Sequence, residues 1–294
     1  MPQGGGKILH IMSEINWFPG HMAKTRRLLE AQLRSVDAVI ELCDARAPYS
    51  TRNPDLARMA QGKARILVLN KADLADEAIT RAWLEGFKRM GQEALAYQSV
   101  GGSSKEIFRK IEAAAAEKVE RMRLRGANKT VRMMVVGIPN VGKSTFINKL
   151  HGKAIAKAQD RPGVTRSNQW VRINPYLELL DTPGLLWPKL SDERGALRLA
   201  YLGSIKDDIM DTEQLATKLV RELLVIKPEA IMGRFRLDES ALSCPDEELL
   251  EKCCKGRGLL LSGGRYDTLR CAQLVLDEFR GAKMGRISLE RMGV

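Results

Sequence analysis

Residues 137–144 read G-I-P-N-V-G-K-S, the G-x-x-x-x-G-K-[ST] spacing. Glycines at 137 and 142 let the backbone turn tightly and aim successive N–H groups at phosphate oxygens. Pro139, Asn140, Val141 and Gly142 line such a cradle, and Thr145 follows at the start of the next helix. Lys143 has the reach for β and γ phosphates, and Ser144 offers a hydroxyl for magnesium. The run V-R-M-M-V-V leads in as a strand and S-T-F-I-N-K-L leads out as a helix, whose N-terminus adds a positive dipole end.

A second group lies at residues 70–73, N-K-A-D, directly after the strand-like A-R-I-L-V-L. The Asp73 carboxylate can accept from guanine N1–H and the 2-amino group. Adenine offers neither donor, so it would leave a buried carboxylate unpaired. Asn70 can bond the base and brace the neighbouring loop, and Lys71 can lay its stem over the ring. One unit later comes S-V-G-G, residues 99–102, where Ser99 can hold Asp73 and the backbone at Val100 can donate to guanine O6. A third group, D-T-P-G at 181–184, offers Asp181 as a water-mediated magnesium ligand and the Gly184 N–H as a γ-phosphate contact. Upstream, R-P-G-V-T-R at 161–166 offers Thr165 as a second hydroxyl ligand.

Each motif has an ordinary explanation when alone. Asp73 can be a helix N-cap, D-T-P-G a turn, and Thr165 one loop threonine among many. Together they point to a guanosine triphosphate held with magnesium. Their order is rotated, because N-K-A-D and S-V precede the phosphate loop and D-T-P-G comes last. A doubly wound domain tolerates such permutation because its natural termini lie close together. In this order D-T-P-G feeds through L-L-W-P-K into whatever follows, so loss of the γ-phosphate is expected to bias the position of the tail.

The elements that must hold these loops are legible. Apolar β-prone runs at Val36–Cys43, Arg65–Leu69, Ala94–Val100, Val131–Val136, Gln169–Ile173 and Tyr176–Leu180 alternate with amphipathic stretches at Ala75–Met90, Ser104–Leu124 and Lys143–Leu150. That alternation predicts an α/β fold, a doubly wound, mostly parallel sheet. After Pro188 the β-prone runs stop, and helices are predicted at Glu193–Leu202, Asp211–Val225, Asp246–Lys252 and Thr268–Arg280. The predicted division is a loose tail at 1–15, a permuted nucleotide-binding domain at 16–188 and an all-helical domain at 189–294.

Net charge is +12, which favours a polyanionic partner, while 5% aromatic content argues against a base-stacking platform for single strands. Three basic stretches stand out: Lys24 to Arg34, Lys105 to Arg132, and a tail set of Lys255, Arg257, Arg265, Arg270, Arg280, Lys283 and Arg286. Five scattered cysteines predict free thiols rather than a disulfide framework or a zinc site. No apolar run is long enough to span a bilayer, and the first residues do not read as a targeting signal. The expectation is a cytoplasmic protein.

Beyond these motifs, I-N-W-F-P-G-H-M-A-K (15–24), D-A-R-A-P-Y-S-T-R-N-P (44–54), D-T-P-G-L-L-W-P-K (181–189), G-R-G-L-L-L-S-G-G-R-Y-D (256–267) and F-R-G-A-K-M-G-R-I-S-L-E (279–290) run nearly the whole chain. In these segments the chain resembles the circularly permuted ribosome-biogenesis GTPases of the RbgA/YlqF type. The resemblance implies a GTPase acting late in assembly of the large ribosomal subunit, stimulated by that particle. Its partners would be the subunit precursor with its rRNA, with ribosomal proteins as further contacts, and the free protein would be monomeric. A mitochondrial relative makes an organelle the minor alternative. The position after D-T-P-G that often carries a water-orienting Gln is Leu185. The resemblance suggests His21 for that task, against a plain structural role in a turn. It also matches Asn140 to an Asn that holds potassium in related GTPases, against an Asn chosen for a tight turn. His151 reads as a helix cap, and Asp44 as a cap or turn residue. Competing readings are a GTP-gated binding module for a protein partner with weak hydrolysis, and an ATP-dependent enzyme, which N-K-A-D opposes.

Overall fold

The computed structural model describes residues 19–124, 130–152, 169–184, 193–205 and 211–293. They fall into two compact units, residues 19–184 with 290–293, and residues 193–289. The first opens with α1 (Pro19–Arg34) and continues through β1 (Ala38–Asp44), α2 (Leu56–Met59), β2 (Ala64–Asn70), α3 (Glu77–Arg89), β3 (Ala94–Ala96), α4 (Lys105–Leu124), β4 (Val131–Val136), α5 (Lys143–His151), β5 (Gln169–Asn174) and β6 (Leu177–Asp181). The six strands form one sheet in the order β3-β2-β1-β4-β6-β5. Every pairing is parallel except β5 on β6. This is the mostly parallel α/β sheet that the alternating pattern predicts.

Burial explains the strand sequences. β1 is buried at every position and β4 at all but Arg132, so both read as near-continuous apolar runs rather than alternating ones, broken in β1 by the buried Glu41 and Asp44. The chain lays β1, β2 and β3 outward in one direction, then returns to place β4 on the other side of β1. That reversal opens a crevice at the carboxyl ends of β1 and β4, where parallel α/β sheets collect their ligands. β3 is shorter than its β-prone run, which extends to Val100. After Ala96 the chain turns through Gly101, at φ +79°, and Gly102, where a Cβ would stand 2.3 Å from the Gln98 carbonyl oxygen. The residues beyond β3 leave the ladder to form a loop at the crevice.

α3 is anchored by Asp76, whose carboxylate caps the Ile79 N–H at 3.0 Å. Trp83 and Phe87, ring centroids 5.4 Å apart, press on Cys43, Ala45, Leu67, Leu69 and Ala75. Burying each ring contributes about 2 kcal/mol.

The second unit holds α6 (Glu193–Tyr201), α7 (Thr212–Ile226), α8 (Pro228–Phe235), a 3-10 turn (Glu239–Leu242), α9 (Asp246–Arg257) and α10 (Thr268–Arg280). α7 packs on all four other helices through a stripe that includes Leu215, Leu219 and Leu223. Pro228 separates α7, which ends at Ile226, from the next helix and itself starts α8: at the first helical position its missing N–H costs nothing. Among the described residues of this unit an isolated antiparallel bridge joins Leu260 to Tyr266, and the regular structure is otherwise helical. The cysteines are free thiols, as their spacing predicts. Among the described residues no helix is long and apolar enough to cross a membrane.

Candidate functional site

The loop after β4 enters α5 through Gly142, held at φ +97°, with Asn140 also left-handed at φ +58°. The turn role open to Asn140 in the sequence is therefore realised. Lys143 is buried, and its ammonium donates to the carbonyls of Gly137 at 3.0 Å and Ile138 at 2.8 Å. Burial lowers its pKa to about 8; Asp181 opposes the fall and Lys71 adds to it. The Ser144 hydroxyl donates to Asp181 Oδ2 at 3.0 Å. Burial raises the Asp181 carboxyl, with Ser144 and Lys143 pulling the other way. Its Oδ1 is buried without a hydrogen-bond partner among the described residues. A hydroxyl beside a carboxylate with one oxygen left over is an all-oxygen donor set suited to a hard divalent cation. Gly184 lies against Pro139: a Cβ there would come within 2.6 Å of Pro139 Cα, so only glycine lets the D-T-P-G loop approach this closely.

The N-K-A-D loop meets the phosphate loop directly. The Asn70 amide donates to the Val141 carbonyl at 2.8 Å across 71 residues of sequence. Lys71, left-handed at φ +57°, donates to the Asn140 carbonyl at 2.6 Å. A Cβ on Gly142 would sit 2.6 Å from Asn70 Nδ2, so the second phosphate-loop glycine is needed for this contact as well as for its φ. Ser99 corrects the sequence reading: its hydroxyl donates to Asn70 Oδ1 at 2.7 Å rather than holding Asp73. The reason is reach, since Asn70 at the end of β2 stands between the two loops. Asp73 is half-buried and Val100 is exposed. Between the S-V-G-G loop and α5 lies an open cavity of about 1090 Å³ lined by Ser99, Val100, Thr145, Asn148 and Lys149 among others.

One cluster was not assigned from sequence. Asp44, at the end of β1 opposite Asn70, accepts from Arg46 Nε at 2.9 Å and Nη2 at 2.8 Å and pairs with Lys71 Nζ at 3.4 Å. Burial alone would raise this carboxyl, but Arg46 and Lys71 outweigh it and hold it at about 2. Asp44 is thus the turn residue that the sequence allows, accepting the Arg46 N–H at 3.1 Å, and also a charge hub beside the base loop. The signal was D-A-R itself, an acid and an arginine two apart at a strand end.

Thr165 and Leu185 lie outside the described residues, as do Arg125 and Lys129 and the L-L-W-P-K join. His21 falls in α1, with its side chain outside them. His151 ends α5, but its Nδ1 lies 2.8 Å from the Arg172 carbonyl, while Gly152 forms the cap. In the tail basic set, Arg257 pairs with Glu278 and lies over the Phe235 ring, and Arg280 donates to the carbonyls of Ala200 and Tyr201. Lys255, Arg265, Arg270, Lys283 and Arg286 are exposed.

A phosphate loop and an N-K-x-D loop joined at the carboxyl end of this sheet, with their strands in rotated order, define a circularly permuted P-loop GTPase fold. Comparisons agree. A sequence profile described as 50S ribosome-binding GTPase matches residues 132–230. Ribosome biogenesis GTPase A of Bacillus cereus is 44% identical over 280 residues, covering 94% of this chain and 93% of the relative. Mitochondrial ribosome-associated GTPase 1 of Mus musculus is 32% identical, covering 94% and 90%. The GNP-bound structure of YlqF from Thermotoga maritima superposes with a TM-score of 0.64 at 30% identity, covering 91% of this chain and 98% of that one. The chain belongs to the ribosome biogenesis GTPase A (RbgA/YlqF) family.

Proposed function

We propose that this protein binds GTP with magnesium, hydrolyses it to GDP, and uses the cycle as a switch in late assembly of the large ribosomal subunit. The observation that carries the reading is the 2.8 Å bond from Asn70 to Val141, which ties the base-reading loop to the phosphate cradle. Asp73 and the backbone at Val100 would read guanine. The cradle from Pro139 to Thr145, with the Gly184 N–H, would hold the phosphates. Lys143 would offset charge developing on them in the transition state. Ser144, Thr165 and Asp181 would hold magnesium, and the orphan Asp181 oxygen is the support for it. Bound there, magnesium would neutralise phosphate charge. His21 would orient the attacking water, and Asn140 would hold potassium; both roles rest on the family resemblance. The relatives' names support a ribosomal partner and the profile's description supports the 50S subunit; the subunit precursor and its rRNA rest on the family resemblance, and the basic excess suits them. The location proposed is the cytoplasm.

The test is GTP turnover with and without large-subunit particles, in potassium and in sodium, for the wild type, His21→Ala and Asp73→Asn. Particles should raise turnover, potassium should exceed sodium, and His21→Ala should remove the stimulation. Asp73→Asn should weaken GDP at least about tenfold through loss of charged hydrogen bonds to the base. Equal affinity for ADP and GDP in the wild type would reject the guanine site.

A further inference from the structure

Residues 290–293 belong to the sheet unit although residues 193–289 form the other. Met292 fills the space above Gly86, where a Cβ would meet its Cε at 2.4 Å, and joins the apolar cluster under Trp83. The Trp83 indole donates to the Glu290 carbonyl at 3.2 Å. The Glu290 side chain is only 5% exposed and turns into the loop after β1. Its Oε2 accepts the Tyr49 N–H at 2.6 Å and its Oε1 the Ser50 N–H at 3.1 Å, and the Ser50 hydroxyl donates to the same carboxylate. Apolar anchoring of the segment needs none of these bonds. A carboxylate that is taken out of water to grip two consecutive amides fixes the loop's conformation.

The loop it grips leads to Lys71, in the same loop as Asp73. Thr51, next to Ser50, accepts the Asp44 N–H at 3.0 Å and donates to the Ala47 carbonyl at 2.6 Å. Asp44 holds Lys71 at 3.4 Å, and Lys71 holds the Asn140 carbonyl at 2.6 Å. We infer that Glu290 is a positioning residue for the guanine site, setting Lys71 and the phosphate loop through the Asp44–Thr51 loop. The inference rests on the guanine reading above. The path ends on the main-chain carbonyl of Asn140 and passes neither Ser144 nor Asp181, the pair proposed for magnesium, so it bears first on how tightly nucleotide is held.

The test uses the full chain with GDP affinity, thermal unfolding and steady-state GTP turnover. Glu290→Gln should weaken GDP about tenfold and raise KM for GTP alike, with kcat within twofold. Met292→Ala should lower the unfolding temperature while GDP affinity stays within twofold. In a double-mutant cycle, Glu290→Gln and Asp44→Asn should weaken GDP no more together than the worse of the two alone. Wild-type GDP affinity in folded Glu290→Gln, loss of affinity in Met292→Ala matching its loss of stability, or additive effects in the cycle would each overturn the inference while leaving the guanine reading intact. A wild type that does not prefer GDP to ADP would instead remove the guanine reading and this inference with it.

Discussion

Asp44 shows how one side chain acquires a task that its neighbours in sequence do not announce. It is nearly inaccessible, and so is Arg46, which is 1% exposed. An arginine so placed needs its carboxylate, and losing one partner leaves the other charged and dry. The folded carboxyl sits at about 2, below its ordinary 3.8. Its stabilising contribution is therefore fully present above 3.8 and is lost as pH falls from 3.8 through 2. Asp44→Asn should unfold at lower urea than the wild type at pH 7, and the gap should shrink by about 2 kcal/mol between pH 7 and pH 2. Urea titrations at both pH values check this; a gap independent of pH would show the carboxyl is not held low. The phosphate-loop roles were legible because spacing alone fixes where two glycines, a lysine and a serine must fall. Asp44 was not, because its partners Arg46, Thr51 and Lys71 are gathered by folding. Ser99 was half legible: its loop was found, but choosing Asn70 over Asp73 needs distances.

Among the described elements, the six strands and most helices followed from pattern, since burial on both faces writes a near-continuous apolar run and burial on one face a periodic one. α8 was missed because Pro228 breaks helices everywhere but at their start. The join of α8 to α9 also makes two nearby glycines differ. A Cβ at Gly256 would fall 1.7 Å from the Phe235 carbonyl oxygen, whereas Gly258 has open space but sits at φ +66°. Gly256→Ala must push two helices apart and should cost well over about 2 kcal/mol. Gly258→Ala meets only backbone strain, about 1 kcal/mol. Chemical denaturation of the two variants side by side ranks them; equal losses would mean that the close approach of α9 to α8 is not a packing constraint.

At the scale of the molecule, charge and chain path carry the remaining consequences. Of the described basic residues in 193–289, those turned inward, such as Arg257 and Arg280, serve packing, and those left outward are the ones that the proposed RNA contact would use. Arg265→Glu with Arg270→Glu should weaken association with large-subunit particles and reduce the slope of log affinity against log salt by about 2. A slope unchanged by both reversals would place the RNA contact elsewhere. The excess of positive charge was readable from composition, but its division between inward and outward arginines depends on Glu278 and on the ends of helices. The return of Glu290 was not readable at all, since the Trp83 indole and its acceptor stand 207 positions apart. That distance has a meaning in time. A nascent chain emerges in order, so the Trp83 cluster must wait with one side open while every helix from α6 to α10 is made. That cluster gains Met292 only after the residue has left the exit tunnel, and until then its apolar face is a surface that chaperones can reach.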